Sequence, residues 1–287
     1  MSEFEAGISY ENKRHKVKFP WKPHMKSLLE NNEQVERKRF MKLRSTLRND
    51  STLFSEYRSI IKNYISENII ERVPVEEENL QKNTFYLPLR AVIRTDKTTS
   101  KVRIVFDAGS DDKGQLSLSE CLHTGLNFIP NLFSLLIKFW KNLIAFVADI
   151  KMAFLMIEIN ECERNFTRFF WDDDPENLHL ENKEFDVFRM CRVLFGVKSS
   201  SFLLAATIKH HLKKYMDTFP STYKHLNQSL YVDDFFCGED NVQQALKTCK
   251  ESVQIFKDAS VDLRKWRRNS PELTQDLKNL NFEVDES

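Results

Sequence analysis

The sequence predicts an α+β fold, in which helices stand beside hairpin strands. Three observations carry this. Apolar residues recur at helical spacing between Glu33 and Ile69 and again from Val242 to Phe256. They alternate at period two over Lys101–Asp107. Finally, Leu230-Tyr231-Val232-Asp233-Asp234-Phe235-Phe236 sets two adjacent carboxylates between aromatic and aliphatic flanks, the pattern of two short strands around a bend.

The bulk properties admit such a fold and narrow its class. With 287 residues, 41% hydrophobic and 30% charged, the chain can bury one large core or two intimate ones. Six glycines and eight prolines leave little room for long flexible linkers. A formal net charge of +1 does not mark a nucleic-acid binder, so any such claim rests on local charge. Cys121, Cys162, Cys191, Cys237 and Cys249 contain no C-x-x-C pair and match neither a zinc pattern nor a disulfide scaffold. Met1–Glu5 does not open a signal peptide and no apolar run reaches membrane-spanning length, so the expected location is intracellular, cytoplasmic or nuclear, with no membrane partner.

Taken in order, residues 1–30 are polar, with Lys13, Arg14, His15, Lys16, Lys18, Lys22 and Lys26 around Phe19-Pro20-Trp21-Lys22-Pro23. The prolines forbid helix there, so the segment reads as an extended arm: either a phosphate contact or a solvated tail anchored by its tryptophan. A helix from Glu33 to Arg48 places Phe40, Leu43 and Leu47 on one face and a crowd of Arg and Lys on the rest. That charge suits either a nucleic-acid backbone or a wet helix face. Asn49-Asp50-Ser51 breaks the pattern and caps a second helix over Leu53–Ile69, with Phe54, Tyr57, Ile61, Tyr64 and Ile65 as its buried stripe. Ala91–Arg94 and Lys101–Asp107 make a hairpin around the polar turn Thr95–Ser100, with Val102, Ile104 and Phe106 inward and Lys101 and Arg103 outward. Two cations beside a foldable turn suit a triphosphate; the plainer reading is a half-exposed hairpin.

A helix over Asn131–Phe139 is followed by Leu143-Ile144-Ala145-Phe146-Val147-Ala148-Asp149, a near-continuous apolar run expected to be a central strand covered on both faces. Phe166–Trp171 reads as an aromatic strand, Asp172–Asn182 as a loop and Phe185–Leu194 as another strand. Lys198–Ser201 opens a helix to about Tyr215, in which His210-His211 reads as a surface pair. After the Asp233-Asp234 hairpin come the helix around Val242–Phe256 and the basic strand Leu263-Arg264-Lys265-Trp266-Arg267-Arg268.

Adjacent carboxylates at a bend repel unless a cation lies between them. Asp233-Asp234 is therefore either a solvated surface turn or part of a metal site. Asp149, ending a core strand, is the partner that would make the second reading work, as an all-oxygen site for Mg²⁺ with Mn²⁺ as the alternative. No Walker-type loop and no H-E-x-x-H stretch is present.

The ordered motifs Lys101–Asp107, Asp149-Ile150-Lys151-Met152-Ala153-Phe154, Phe195-Gly196, Tyr231-Val232-Asp233-Asp234 and Leu263–Trp266 resemble a reverse transcriptase. Val105–Ala108, Ser117–Gly125 and Leu230–Asp234 are similar to Bel/Pao-type LTR retrotransposon polymerases in particular. The resemblance spans roughly residues 19–273. It implies a right-hand polymerase with fingers and palm, an antiparallel palm sheet backed by helices, and a helical N-terminal segment before them. On that basis residues 1–83 form the basic arm and helical segment and 84–273 the polymerase region. Fingers are expected at roughly 84–140 and 160–192, palm at roughly 141–159 and 193–273, and a tail at 274–287 with the thumb absent.

The implied activity is RNA-directed DNA polymerisation, with two-metal transfer of a nucleotide from a dNTP to a primer 3′-hydroxyl. Asp149, Asp233 and Asp234 match the catalytic carboxylates, which with the Ile150 backbone would hold the metals. Arg103, with Lys101 the weaker candidate, matches the triphosphate grip, Phe154 the gate under the sugar, and Phe195 a residue packed near it. Leu263, Arg264, Lys265 and Trp266 fall where a primer grip is expected. Partners implied are an RNA or DNA template with its primer, dNTPs, and the protease, RNase H and integrase of a retrotransposon polyprotein. Leu194 in a usual Pro-Phe-Gly, Ser200-Ser201 in place of Ser-Pro and Leu126 in place of a proline depart from the pattern and alter backbone preference rather than chemistry. The alternative is a truncated, inactive or co-opted fragment that binds nucleic acid without polymerising; an RNA polymerase is disfavoured by Phe154.

Overall fold

A computed structural model describes residues 2–78, 80, 82–93, 102–111, 114–174 and 185–285. They divide into two units, one of residues 1–16, 126–157 and 201–287, the other of residues 17–125 and 158–200. The chain thus crosses between units several times, and each unit draws its core from segments far apart in sequence.

The first unit is built on a four-stranded antiparallel sheet in the order Leu230–Tyr231, Asp234–Glu239, Ile144–Ile150, Leu263–Arg268. The apolar run does form a central strand, paired on both edges. It is not covered on both faces, however. Phe146, Ala148 and Ile150 are buried, whereas Val147 and Asp149 are only half-buried. Successive side chains in a strand point to opposite faces, so one face packs on helices while the other stays partly open. On the neighbouring strand Phe235 and Cys237 are buried and Asp234 and Phe236 half-buried, in step with it. The helices Ser200–Leu212, Pro220–Ser229 and Val242–Lys257 belong to the same unit, and Asn241 caps the last through its side chain.

Several segments differ from the sequence-based expectation. The N-terminal arm is not simply extended: Ser2–Gly7 is helical and Ser9–Glu11 pairs with Arg14–Val17 as a hairpin. Asn12 and Lys13 adopt left-handed backbone at its tip, with φ of 50° and 61°. His210-His211 is not a surface pair. His211 is buried, its Nε2 donating to the Ile255 carbonyl at 2.7 Å while its Nδ1 accepts from His15 Nε2 at 3.1 Å. Pro220–Ser229 and Pro271–Asn279 are helices that apolar spacing did not reveal; Ser270 caps the second, which buries Leu273 and Leu277. Residues 274–285 are therefore packed structure, and Trp266 exchanges backbone hydrogen bonds with Glu283 and Asp285.

In the second unit the helices Glu33–Asn49 and Ser51–Ser66 form as their spacing requires, with the Asp50 side chain accepting from Leu53 N–H. Phe40, Leu47, Phe54, Tyr57 and Ile61 are buried. Ile65 instead is exposed, and Arg44 is buried against the Phe185 ring. Ile70–Arg72, Asp186–Met190 and Arg168–Trp171 make a three-stranded sheet. Leu89–Ile93 pairs with Val102–Phe106, whose Val102, Ile104 and Phe106 face inward as alternation predicts. The turn Thr95–Ser100 lies outside the described residues.

Candidate active site

Strand register brings the carboxylates together. Asp149 is the next-to-last residue of the central strand and is the direct cross-strand partner of Asp234 on one side and Arg264 on the other. Tyr231 pairs with Asp234, which leaves Val232-Asp233 as a two-residue hairpin loop. Val232 has φ of 59°. Positive φ at the first central position belongs to hairpin turns of the II′ kind, where glycine is favoured. A β-branched residue there costs about 1–3 kcal/mol, and such outliers persist where the surroundings hold them. Here the Ile150 N–H donates to the Asp233 carbonyl at 2.8 Å, tying the loop to the end of the central strand.

The electrostatics follow. Burial pushes the Asp234 carboxyl above its ordinary range, and the charges of Asp233 and Asp149 push it further, against a smaller opposing effect of Arg267. Arg264 Nε donates to Asp149 Oδ2 at 2.9 Å, with both side chains about one-third exposed. Carboxylate oxygens in mutual repulsion beside a half-open sheet face are the donor set a hard divalent cation takes, so the residues fit Mg²⁺ or Mn²⁺ in kind. Among the described residues, the three aspartates do not form a group with all ligand atoms within 4.8 Å of one another. Asp149 commits one oxygen to Arg264 instead.

The remaining predicted residues fall as follows. Phe154 lies in the 3₁₀ turn Ala153–Met156 after Asp149, and its ring is buried at 4% exposure. Met152, between them, takes left-handed backbone with φ of 51°. In the basic strand Lys265 is exposed, Leu263 half-buried and Trp266 wholly buried against Phe146 and Phe282. Trp266 is thus a core residue of the unit, and its side chain is not free to touch a primer. Arg103 and Phe195 belong to the second unit and are exposed. Lys101 lies outside the described residues. Beside Phe195, Gly196 has φ of 97°, and a Cβ there would lie 2.3 Å from the Phe106 carbonyl oxygen, so only glycine fits.

Comparison with known proteins bears on this arrangement. No protein-family model matches the chain, and no curated protein matches it in sequence. Among solved structures it is similar to a foamy viral protease-reverse transcriptase in complex with double-stranded DNA. The TM-score is 0.50 and the identity 18%, over 73% of this chain and 30% of that one. The fold is reverse transcriptase-like. At this identity the likeness concerns the fold alone, and the chain spans 30% of that protein's length.

The site contains two features that sequence reasoning missed. Arg264 was placed with a primer grip, yet its guanidinium engages the carboxylate of Asp149, 115 positions away. Arg267, in the same strand, is near enough to oppose the rise in the Asp234 pKa. No local signal distinguishes either from its basic neighbours, since both depend on cross-strand register.

Proposed function

We propose that the chain is the fingers and palm region of an RNA-directed DNA polymerase, of the kind carried by Bel/Pao-type LTR retrotransposons. The observation that carries the reading is the pairing of Asp149 with Asp234 in register, with Asp233 in the intervening bend. Asp149, Asp233 and Asp234, with the Ile150 backbone, would hold Mg²⁺ or Mn²⁺. Bound there, the cations would lower the pKa of a primer 3′-hydroxyl and offset charge on the leaving pyrophosphate. The chain's own part is positioning. The strained Val232-Asp233 loop fixes the carboxylates, and Arg103 offers a guanidinium to a triphosphate. Phe154 would back the sugar side and disfavour a 2′-hydroxyl, and Arg264 and Lys265 would meet a primer backbone. Template, primer, dNTPs and the other polyprotein domains are the partners of this reading.

The Arg264–Asp149 ion pair favours one competing reading, a chain that binds nucleic acid with its catalytic carboxylate neutralised. Primer extension on an RNA template with Mg²⁺ or Mn²⁺ separates the two. A polymerase incorporates dNTPs, discriminates against rNTPs, and loses incorporation on Asp149→Asn. Incorporation no higher than that of the Asp149→Asn variant, with either cation, refutes the proposal; equal use of rNTPs refutes the role given to Phe154.

A further inference from the structure

Behind the carboxylate-bearing face, a second group of side chains has nothing to do with nucleotide chemistry. Cys237 and Glu239 occupy alternate positions of the strand Asp234–Glu239, so both point away from the open face and toward the helices. His225 comes from the helix Pro220–Ser229, two elements earlier in the chain. His225 Nε2, Cys237 Sγ and a Glu239 carboxylate oxygen all lie within 4.8 Å of one another. His225 Nε2 and Glu239 Oε1 are 3.2 Å apart. Ligands on a tetrahedral zinc ion, at about 2.0–2.3 Å from the metal, stand about 3.3–3.7 Å from each other, so His225 and Glu239 already have that separation and the Cys237 thiol, within 4.8 Å of both, has to close by at most about 1 Å.

We propose that His225, Cys237 and Glu239 form a transition-metal site, most suited to Zn²⁺, that ties the helix Pro220–Ser229 to the strand beneath Asp234. The ligand chemistry separates it from the aspartate cluster. One imidazole, one thiolate and one carboxylate suit zinc, whereas an all-oxygen set suits magnesium. Supporting contacts are in place: the Thr248 hydroxyl donates to Glu239 Oε1 at 2.6 Å and orients the carboxylate, as outer hydrogen bonds do at metal sites. Three protein ligands leave the fourth tetrahedral position for water. Burial shields Cys237 and leaves the His225 edge as the way in. Binding releases the thiol proton to solvent and forms the metal–sulfur bond with no redox change. The spacing His225…Cys237…Glu239 matches no familiar zinc pattern because a helix and a strand separately supply the ligands.

The test is Co²⁺ titration of the whole chain under reducing conditions, followed by absorbance, with metal content measured after dialysis against Zn²⁺. The expected result is about one equivalent of metal, thiolate-to-cobalt absorption in the near ultraviolet and intense tetrahedral bands in the visible. His225→Ala, a half-exposed position, should remove the visible bands while circular dichroism stays unchanged. Cys237→Ser should remove the charge-transfer band, and Cys162→Ser, at an exposed cysteine, should leave it intact. Thr248→Val should weaken binding about 10- to 100-fold. The site is refuted if no thiolate band develops, or if the band survives both His225→Ala and Cys237→Ser. Cobalt held by the aspartates gives no thiolate band, so the outcome is independent of whether the chain polymerises DNA.

Discussion

The ion pair between Arg264 and Asp149 makes the strongest quantitative prediction. The proposed metal site must take an oxygen that a guanidinium now holds at 2.9 Å. A hydrogen bond to a charged group is worth about 1.5–3 kcal/mol when well buried, and exposed pairs much less. At about one-third exposure on both sides, roughly 1–2 kcal/mol is reasonable. Replacing Arg264 with alanine removes that competition and also a positive charge from the site. Every 1.4 kcal/mol is tenfold in affinity, so Mn²⁺ should bind the variant about 5- to 30-fold more tightly. Mn²⁺ titration followed by electron paramagnetic resonance measures this on the free protein without nucleic acid. Without metal the variant should melt at a lower temperature, because Asp149, Asp233 and Asp234 lose a compensating charge; saturating Mn²⁺ should restore more stability to it than to the wild type. Unchanged or weaker Mn²⁺ binding in Arg264→Ala would show that the pair does not gate the carboxylates.

Three further outcomes follow from the structure. Burial raises the Glu36 carboxyl to about 7, so its protonated form is favoured in the folded state and stability falls as pH rises from about 4.5 to 7; Glu36→Gln should stabilise the protein at pH 8 by up to about 3 kcal/mol, with the gain fading by pH 5 in thermal melts. Burial, reinforced by His211, Lys214 and His210, lowers His15 to about 3. Its neutral form supports folding above pH 6.5 and that support is lost as pH falls below it, so hydrogen exchange should show the Ser9–Val17 hairpin loosening between pH 7 and 5, and less so in His15→Gln. Gly196→Ala should cost about 2 kcal/mol or more by urea denaturation, because it adds a Cβ against the Phe106 carbonyl at positive φ; an unchanged midpoint would mean that the turn rebuilds freely.

Much of the fold was legible because it is written in local pattern. The helices Glu33–Asn49, Ser51–Ser66 and Val242–Lys257 each carry a long apolar stripe, and Asp50 and Asn241 cap the second and third through their side chains. Pro220–Ser229 and Pro271–Asn279 bury only two residues each, Thr222 with Leu226 and Leu273 with Leu277, too few for a periodic signal. The hydrophobic run Leu143–Ala148 identified its strand but not its exposure, because alanine and valine tolerate a half-open face as well as a closed one. His211 looked like surface beside a histidine; the N-terminal hairpin supplies His15 to cover it.

The sequence by itself determined that Asp149 lies at the end region of a core strand and that Asp233 and Asp234 lie at or near a bend, since both depend on residues a few positions away. Only the tertiary structure decided that Asp149 faces Asp234 and Arg264 in register, that Trp266 is core, and that His225, Cys237 and Glu239 converge behind the same sheet. Side-chain direction in a strand has a period of two, so a one-residue change of register would send each of these groups to the opposite face. Register between Asp149 and strands 85 and 115 residues further along the chain is set by how the whole unit packs, and no local stretch of the chain contains it.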